Sequence, residues 1–214
     1  MKYFLLTILI LFSTACPASA QDFYGTNDLK AFREGRDKEF RDKTVSPLKP
    51  EDLAAFTGLN YFPADKNLAL PAKFEKTPDE KFFMMPTSKG TSRKYIKLGV
   101  LKFNLGGVEY ALNAYQSEAI IQSESSPYKN LLFVPFKDLT NGRETYGGGR
   151  YLNIKKPEKD EVVLDFNLAY NPNCAYGSEE FACPIPPKEN FLQAEIKAGE
   201  KTFEYSGKKH IELK

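Results

Sequence analysis

The chain has 214 residues, with 30 basic and 28 acidic side chains and a formal net charge of +2. A charge this close to zero gives no electrostatic reason to expect nucleic acid or an anionic membrane as a partner. Aromatic residues make up 14% of the chain, alongside 14 Gly and 14 Pro, and this composition is typical of a turn-rich globular protein and not of a disordered one.

Residues 1–20 have the three parts of a secretory signal peptide. The chain begins with a positively charged Met-Lys pair, continues with an apolar run over residues 3–12, and then has Ala-Ser-Ala at residues 18–20. Small residues in this arrangement mark a cleavage site. We therefore predict that the protein is exported, to the periplasm or the extracellular space, and that the mature chain begins at Gln21.

Two other interpretations of this segment are weaker. Cys16 follows small residues, as in the cleavage site of a bacterial lipoprotein, but Ser13 stands where such sites usually have Leu. A membrane-spanning helix needs roughly 20 apolar residues, whereas this apolar run weakens at Ser13 and reaches Pro17. We expect no membrane-spanning segment once the signal is removed.

The mature chain has the length of one domain. Removal of the signal leaves about 194 residues, which is enough for a substantial core and too few for two domains. Within residues 21–214 we predict an amino-terminal helical arm over residues 21–60 and a β-rich core over residues 80–206.

Two helices are predicted in the arm. The first covers residues 27–43, where Asn27 is a suitable N-cap and apolar side chains recur at helical spacing. The second begins at Pro50, which two acidic residues follow, and is expected to end at Gly58. Both helices should present one apolar face to the rest of the domain.

The clearest local pattern is a β-hairpin. Apolar residues alternate over residues 101–105 and again over residues 108–112, and Gly106 and Gly107 lie between them. Two glycines permit the positive φ angles of a tight hairpin turn. The register then places six apolar side chains on one face, in the pairs Leu101 with Leu112, Phe103 with Tyr110, and Leu105 with Val108.

Four further strands are predicted. Residues 130–136 form a continuous apolar run, and residues 162–167 place apolar side chains on one face and partly polar ones on the other. Residues 191–196 and 201–205 have the composition of two last strands. Together these elements predict an α+β domain, with two amino-terminal helices and a mostly antiparallel sheet shaped as a sandwich or small open barrel.

Three consecutive glycines, Gly147, Gly148 and Gly149, lie between Tyr146 and Arg150. Glycine is costly to order, and it permits close approach of the backbone to another group. One interpretation is a ligand-binding wall in which Arg150 presents its planar donors to a carboxylate, phosphate or sugar. The other is a β-bulge or a strongly bent strand.

Nearby acidic residues are candidates for catalysis. Glu144 and Asp165 could act as acid and base if the sheet brings them together. Asn167, on the same strand face as Asp165, and Tyr170 and Asn171 in the following loop are candidate ligand-binding residues. The alternative is that these polar residues form the solvent face of the sheet.

Cys174 and Cys183 are the two cysteines of the mature chain. In an oxidising compartment such a pair most often forms a disulfide, although free thiols or metal ligands remain alternatives. A metal site is the weaker hypothesis, because tetrahedral zinc needs four ligands and the chain contains one histidine. We expect neither a metal nor another cofactor.

Several motifs are distributed over most of the mature chain. They are SPL at 46–48, FTGLNYFP at 56–63, MPTSKGTSRKY at 85–95, NLLFVPFKDLTNGRETYGGGRYL at 130–152 and DFNLAYNPNCAYGSEEFACPIPPKENFL at 165–192. This set resembles a known family, the bacterial domain of unknown function 1684. The family has no established activity or catalytic residues, so the resemblance implies a single domain and a motif set that includes both Cys174 and Cys183.

Three functions are compatible with these residues. The first is a small-ligand-binding protein of the periplasm or cell surface, with a site at residues 146–150, Asp165, Asn167 and the Cys174 loop. The second is a hydrolase that uses Glu144 and Asp165, for which the carboxyl groups should lie about 5–9.5 Å apart across an open cleft. The third is a structural envelope protein without a pocket. The sequence does not define the oligomeric state.

Overall fold

The computed structural model describes residues 26–178 and 180–204, with side chains from Leu29 onward. The predicted signal peptide at residues 1–20, with its cleavage at Gln21, lies outside the described residues. Helix α1 spans Thr26–Arg41 and α2 spans Pro50–Ala54. Both predicted amino-terminal helices are therefore present, and the second begins at its proline and ends before Gly58.

In residues 26–178 and 180–204 the strands form one antiparallel sheet of seven strands that curls into a half-barrel. The strand order is β6-β5-β4-β3-β1-β7, and β2 pairs with β3 beside β1. A short helix α3, Glu118–Gln122, follows β4. The strands are β1 (Ala69–Lys76), β2 (Phe83–Pro86), β3 (Ser92–Leu105), β4 (Val108–Ser117), β5 (Leu131–Phe136), β6 (Arg150–Lys155) and β7 (Glu161–Asp165).

The predicted hairpin is confirmed in position and register. Leu101 pairs with Leu112, Phe103 with Tyr110, and Leu105 with Val108. The turn glycines have φ angles of 60° and 85°, as a two-residue turn between twisted strands requires. The expected core face is buried away from the turn and becomes solvent-exposed at the tip, where Val108 is 53% exposed.

Two other predicted strands are present. Strand β5 covers almost all of the predicted residues 130–136, and β7 covers the first part of residues 162–167. β7 ends early because the Asp165 side chain accepts a hydrogen bond from the Asn167 backbone N–H at 2.9 Å and starts a short 3-10 helix. β1 begins at Ala69, outside the 80–206 range expected for the β-rich core.

The two predicted carboxyl-terminal strands are wrong. Residues 191–196 and 201–204 contain no strand, and Tyr205 lies outside the described residues. Three carbonyl groups of this coil, from Ile196, Ala198 and Glu200, accept hydrogen bonds from the buried Arg150 guanidinium. A side chain thus satisfies backbone groups that a neighbouring strand would otherwise satisfy.

The sheet has a different apolar layer on each face. Leu132, Val134 and Phe136 of β5 lie in the main core, which also contains one face of β1, β3 and β6. Phe133 alternates with them and therefore points to the opposite face. There it packs against a smaller cluster formed by Met85, Tyr95 and Tyr115.

Helix α1 covers part of that second face. Its Phe40 side chain is fully buried and contacts Tyr176 edge-on, with ring centroids 4.6 Å apart. Leu48, Leu59 and Ala175 complete this separate cluster. The packing fixes α1 beside the coil that follows β7, and the space between them becomes a cleft.

Candidate functional site

The cleft has a volume of about 570 Å³ and lies on the outer face of the sheet. One side is formed by strands β3 to β6, another by α1, and the third by loop residues 172–173 and 180–184. A concave space of this size, walled by aromatic side chains together with polar ones such as Arg36, Arg93 and Asn153, has the dimensions of small-molecule sites. The rings on its walls are Phe32, Tyr95, Tyr128, Phe133, Tyr151, Tyr170 and Phe181.

The central rings of the cleft are packed against one another. Phe133 meets Tyr151 edge-on at a centroid distance of 4.8 Å, and Tyr151 meets Tyr170 edge-on at 5.8 Å. Tyr95 lies 5.7 Å from Phe133 on the other side. These ring contacts, two edge-on and one tilted at 30°, stabilise each ring and hold the wall in one shape.

Two hydroxyl groups of this wall are already hydrogen-bonded. The Tyr151 hydroxyl donates to the Pro184 carbonyl, and the Tyr170 hydroxyl accepts from Asn153 Nδ2 at 2.8 Å. Burial raises the pKa of both tyrosines above the usual value. Both are therefore neutral at physiological pH, and they position the rings without adding charge to the cleft.

Arg36 lies beside the rings on the α1 side. Its guanidinium is above the Phe40 ring at 4.8 Å and the Tyr170 ring at 5.2 Å. Nη1 donates to Glu39 at 3.3 Å, and Nη2 lies 3.7 Å from the Glu200 carboxylate. Burial is the largest single influence on the pKa of Arg36 and lowers it, but Glu200, Tyr176, Glu39 and Tyr61 together outweigh burial, and the pKa is raised. Arg36 is thus a charged, paired support for the cleft.

Glu200 joins the coil at the carboxyl end of the domain to the rest of the structure. Its carboxylate is 1% exposed and accepts hydrogen bonds from the Tyr176 hydroxyl and from the Asn171 backbone and side-chain N–H groups, the latter two at 3.2 Å. Burial raises its pKa despite these donors and the nearby Arg36. This network lies beneath the cleft, so Asn171 supports the site without lining it.

The outer wall of the cleft is fixed by a disulfide. Cys174 and Cys183 are bonded, with Cα atoms 6.2 Å apart, and Cys183 lines the cleft. The backbone N–H of Ser88, just after β2, donates to the Cys183 carbonyl at 2.9 Å, and the Ser88 hydroxyl accepts from the Cys183 backbone N–H at 3.1 Å. The disulfide alternative of the sequence prediction is the one observed; it closes the loop on itself, and the Ser88 hydrogen bonds hold Cys183 beside the end of β2.

Arg150 has a structural role away from the cleft. It is fully buried and forms an ion pair with Asp138 at 2.7 Å, so the expected partners Glu144 and Asp165 are not the ones observed. Asp138 in turn accepts from the Thr140 backbone N–H at 2.6 Å. Burial lowers the pKa of Arg150, although Asp138 opposes this shift. Asp138 was missed in the sequence because it lies in a turn-forming segment.

The glycine triplet forms the turn that leads into β6. Gly149 has a φ of 96°, and a Cβ there would lie 2.7 Å from the Phe136 carbonyl oxygen. A Cβ at Gly148 would meet the Tyr146 ring at 2.3 Å, whereas one at Gly147 would meet nothing closer than 3.6 Å. The triplet therefore allows a tight backbone approach that places Arg150 in the core, and none of its residues lines the cleft.

The two candidate catalytic carboxylates have different partners. Glu144 lies 3.4 Å from Lys197 Nζ at the protein surface. Asp165 accepts from the Asn167 backbone at 2.9 Å and from its side chain at 2.8 Å, and burial raises the Asp165 pKa. Asn167 also donates to the Asp65 carbonyl at 2.8 Å. Neither carboxylate lines the cleft.

Of the predicted ligand-binding residues, the cleft contains Tyr170, together with Cys183 of the cysteine pair. Tyr146 and Asn171 lie elsewhere in the fold. The sequence interpretation missed the rings of Tyr95, Phe133 and Tyr151. One signal was present, because an apolar run such as residues 130–136 puts rings on both faces of a strand.

Residues 26–178 and 180–204 contain neither a metal-binding cluster nor a membrane-spanning helix. No three His, Cys, Asp or Glu side chains there lie close enough together to hold a metal ion. Within the same residues, no helix has the length and apolar character needed to cross a membrane.

The fold and cleft define a β-rich single domain with an aromatic pocket on the outer face of a curled sheet. Comparison of the sequence with family models matches residues 54–201 to the family described as "Protein of unknown function (DUF1684)", and the chain belongs to this family. The resemblance found in the motifs is therefore confirmed. No curated protein sequence matches the chain.

A solved structure has a similar fold. It is the solution NMR structure of an uncharacterised protein from Haloarcula marismortui, which is 35% identical to this chain. The match covers 85% of this chain and 95% of the other, with a TM-score of 0.65.

Proposed function

We propose that this protein is a small-molecule-binding protein whose ligand enters the aromatic cleft. The observation that carries the proposal is a preformed cavity of about 570 Å³ with packed rings on its walls. Aromatic rings offer large flat apolar surfaces, and a ligand gains most when it covers such surfaces in a rigid site. The ligand is thus a small molecule with at least one flat apolar face.

The polar groups of the cleft suit binding better than catalysis. Arg36 is engaged by two carboxylates, and Tyr151 has a carbonyl partner. The hydrolase hypothesis needs Glu144 and Asp165 together in an open cleft, but each has a partner elsewhere. These separate positions disfavour the hydrolase hypothesis. A structural protein without a pocket is also disfavoured, because the cleft is large.

We also propose that the protein acts outside the cytoplasm. The charged, apolar and small-residue parts of residues 1–20 support export. The Cys174–Cys183 disulfide supports the same proposal, since such bonds persist in oxidising compartments. Mass spectrometry of protein from the expressing cells tests it. A mature chain starting at Gln21 is the expected result, and a lipid-modified Cys16 or an uncleaved chain would contradict it.

Binding in the cleft is tested with a panel of small aromatic compounds and two matched tryptophan variants. Ala182 lines the cleft, whereas Ala111 is exposed on β4 and lies outside it. Ala182→Trp fills the cavity, and Ala111→Trp adds the same side chain elsewhere. Saturation-transfer NMR should show compounds that bind the wild type and A111W but not A182W. Equal binding by both variants, or no binding by the wild type, would refute the proposal.

A further inference from the structure

We infer that the ligand of the cleft carries a carboxylate next to its aromatic ring, and that Arg93 binds this carboxylate. The inference rests on the proposed function, because it names the chemical class of ligand for the same cleft. Arg93 and Tyr95 lie two residues apart on β3 and therefore point to the same side of the strand. Both line the cleft.

Arg93 is the cation of the cleft that has no partner in the described part of the chain. Arg36 has Glu39 at 3.3 Å and Glu200 at 3.7 Å. The backbone of Arg93 pairs with Met85 of β2, but its guanidinium makes no hydrogen bond or ion pair with residues 29–178 or 180–204, and the side chain is exposed. Its planar donors are available to accept a carboxylate in a two-bond geometry.

The surroundings of Arg93 place this charge next to the ring wall. Burial is the main influence on the pKa of Tyr95 and raises it, and the positive charge of Arg93 acts in the opposite direction. The same opposing effect reaches Tyr151. Arg93, Tyr95 and Tyr151 line the same cleft, and Arg93 and Tyr95 are two residues apart on β3, so a ligand ring against Tyr95 or Tyr151 would hold an attached carboxylate within reach of the guanidinium.

Two acidic residues also line the cleft and favour the opposite ligand charge. Glu39 is engaged by Arg36, which reduces its effect. Glu180 is exposed on the turn before Phe181, and it would attract a ligand with an ammonium group. Arg93 projects from a paired strand beside the rings, so we assign the ligand charge to Arg93 and use an ammonium probe to test the alternative.

The experiment compares three probes with one ring system: 2-naphthoate, the neutral 2-naphthamide, and 2-naphthylmethylammonium. The variant is Arg93→Gln and its control is Lys94→Gln. Lys94 is the next residue of β3, points to the other side, and pairs with Glu118 at 2.6 Å outside the cleft. The two variants remove the same charge from adjacent exposed positions, so neither should unfold the domain.

Calorimetry should show that the wild type and K94Q bind 2-naphthoate about three to five times more tightly than 2-naphthamide, as a partly exposed ion pair would give. R93Q should bind the two probes equally, and added salt should reduce the wild-type preference. A preference that persists in R93Q, a wild type without preference, or tighter binding of the ammonium probe would overturn the inference. Failure of all three probes to bind would instead count against the proposed function.

Discussion

Arg150 and Arg93 both lie near aromatic rings, but their surroundings are opposite. Arg150 is fully buried, with Asp138 and three carbonyl groups as partners. Arg93 is exposed at the cleft and has no partner among the described residues. A guanidinium whose donors are nearly all used holds the fold together, whereas one with free donors beside a cavity is available to a ligand. The glycine-rich motif therefore precedes a structural residue, Arg150, whose ion pair and hydrogen bonds stabilise the fold.

The largest expected effect comes from removing the buried Arg150 side chain and its ion pair with Asp138. Arg150→Met leaves the buried Asp138 carboxylate without its ion-pair partner, which should lower the free energy of unfolding by about 3–5 kcal/mol. The control Arg143→Met removes an exposed pair with Glu195 and should change it by less than about 1 kcal/mol. Urea denaturation measures both. If both variants lose less than about 1 kcal/mol of unfolding free energy, Arg150 does not stabilise the fold as described.

The disulfide of the cleft wall should have the next largest effect. It closes a short loop, and replacing Cys174 and Cys183 with serine should lower the free energy of unfolding by about 2–3 kcal/mol through the entropy of the unfolded chain. Because Cys183 lines the cleft, the double variant should also bind aromatic probes less tightly. Unchanged stability in urea denaturation would show that the loop is held without the bond.

The glycine triplet provides a smaller and sharper test. Gly149→Ala places a Cβ at a φ of 96° and 2.7 Å from a carbonyl oxygen, so it should lower the free energy of unfolding by about 1–2 kcal/mol. Gly147→Ala adds the same methyl group where nothing lies closer than 3.6 Å and should be nearly neutral. Equal thermal stability of the two variants would contradict the packing role of the triplet.

The smallest expected effect is a change in how the free energy of unfolding depends on pH. Burial raises the pKa of Glu200 in the folded state, so the folded chain holds this proton more tightly than the unfolded chain does. The stability linked to Glu200 is therefore greatest at low pH and is lost as the pH rises through its folded pKa. Glu200→Gln cannot titrate, so the stability of E200Q relative to wild type should increase from about pH 4.5 upward. A decrease over that range would contradict the raised pKa.

Local patterns in the sequence were enough to predict part of the fold. The 101–112 hairpin depends on alternating residues and a two-glycine turn, which are all within a few positions of one another. The strands expected at residues 191–196 and 201–205 do not form, because the backbone groups of this coil have distant partners that are not strands. Arg150, more than 40 positions away, donates to the carbonyls of Ile196, Ala198 and Glu200. The backbone N–H groups of residues 201 and 202 donate to the carbonyls of Asn60 and Glu144. A side chain that replaces a strand leaves no local signal.

The site was harder to predict than the fold for a related reason. Its rings come from β3, β5, β6 and the coil after β7, so only the strand order brings Tyr95, Phe133, Tyr151 and Tyr170 together. Glycines and acids near Arg150 were more conspicuous in the sequence. A glycine, however, indicates an unusual backbone shape, and that shape here serves the packing of Arg150.

Ligand binding in the aromatic cleft is tested most directly by mapping where an aromatic carboxylate binds. Titration of ¹⁵N-labelled protein with 2-naphthoate, followed by two-dimensional NMR, reports the backbone amides that respond. The largest changes in amide chemical shift should occur at Phe133, Asn153 and Ala182, on the walls of the cleft. Largest changes at Gly147 and Gly148, with little response at Ala182, would place the ligand at the glycine triplet and contradict binding in the cleft.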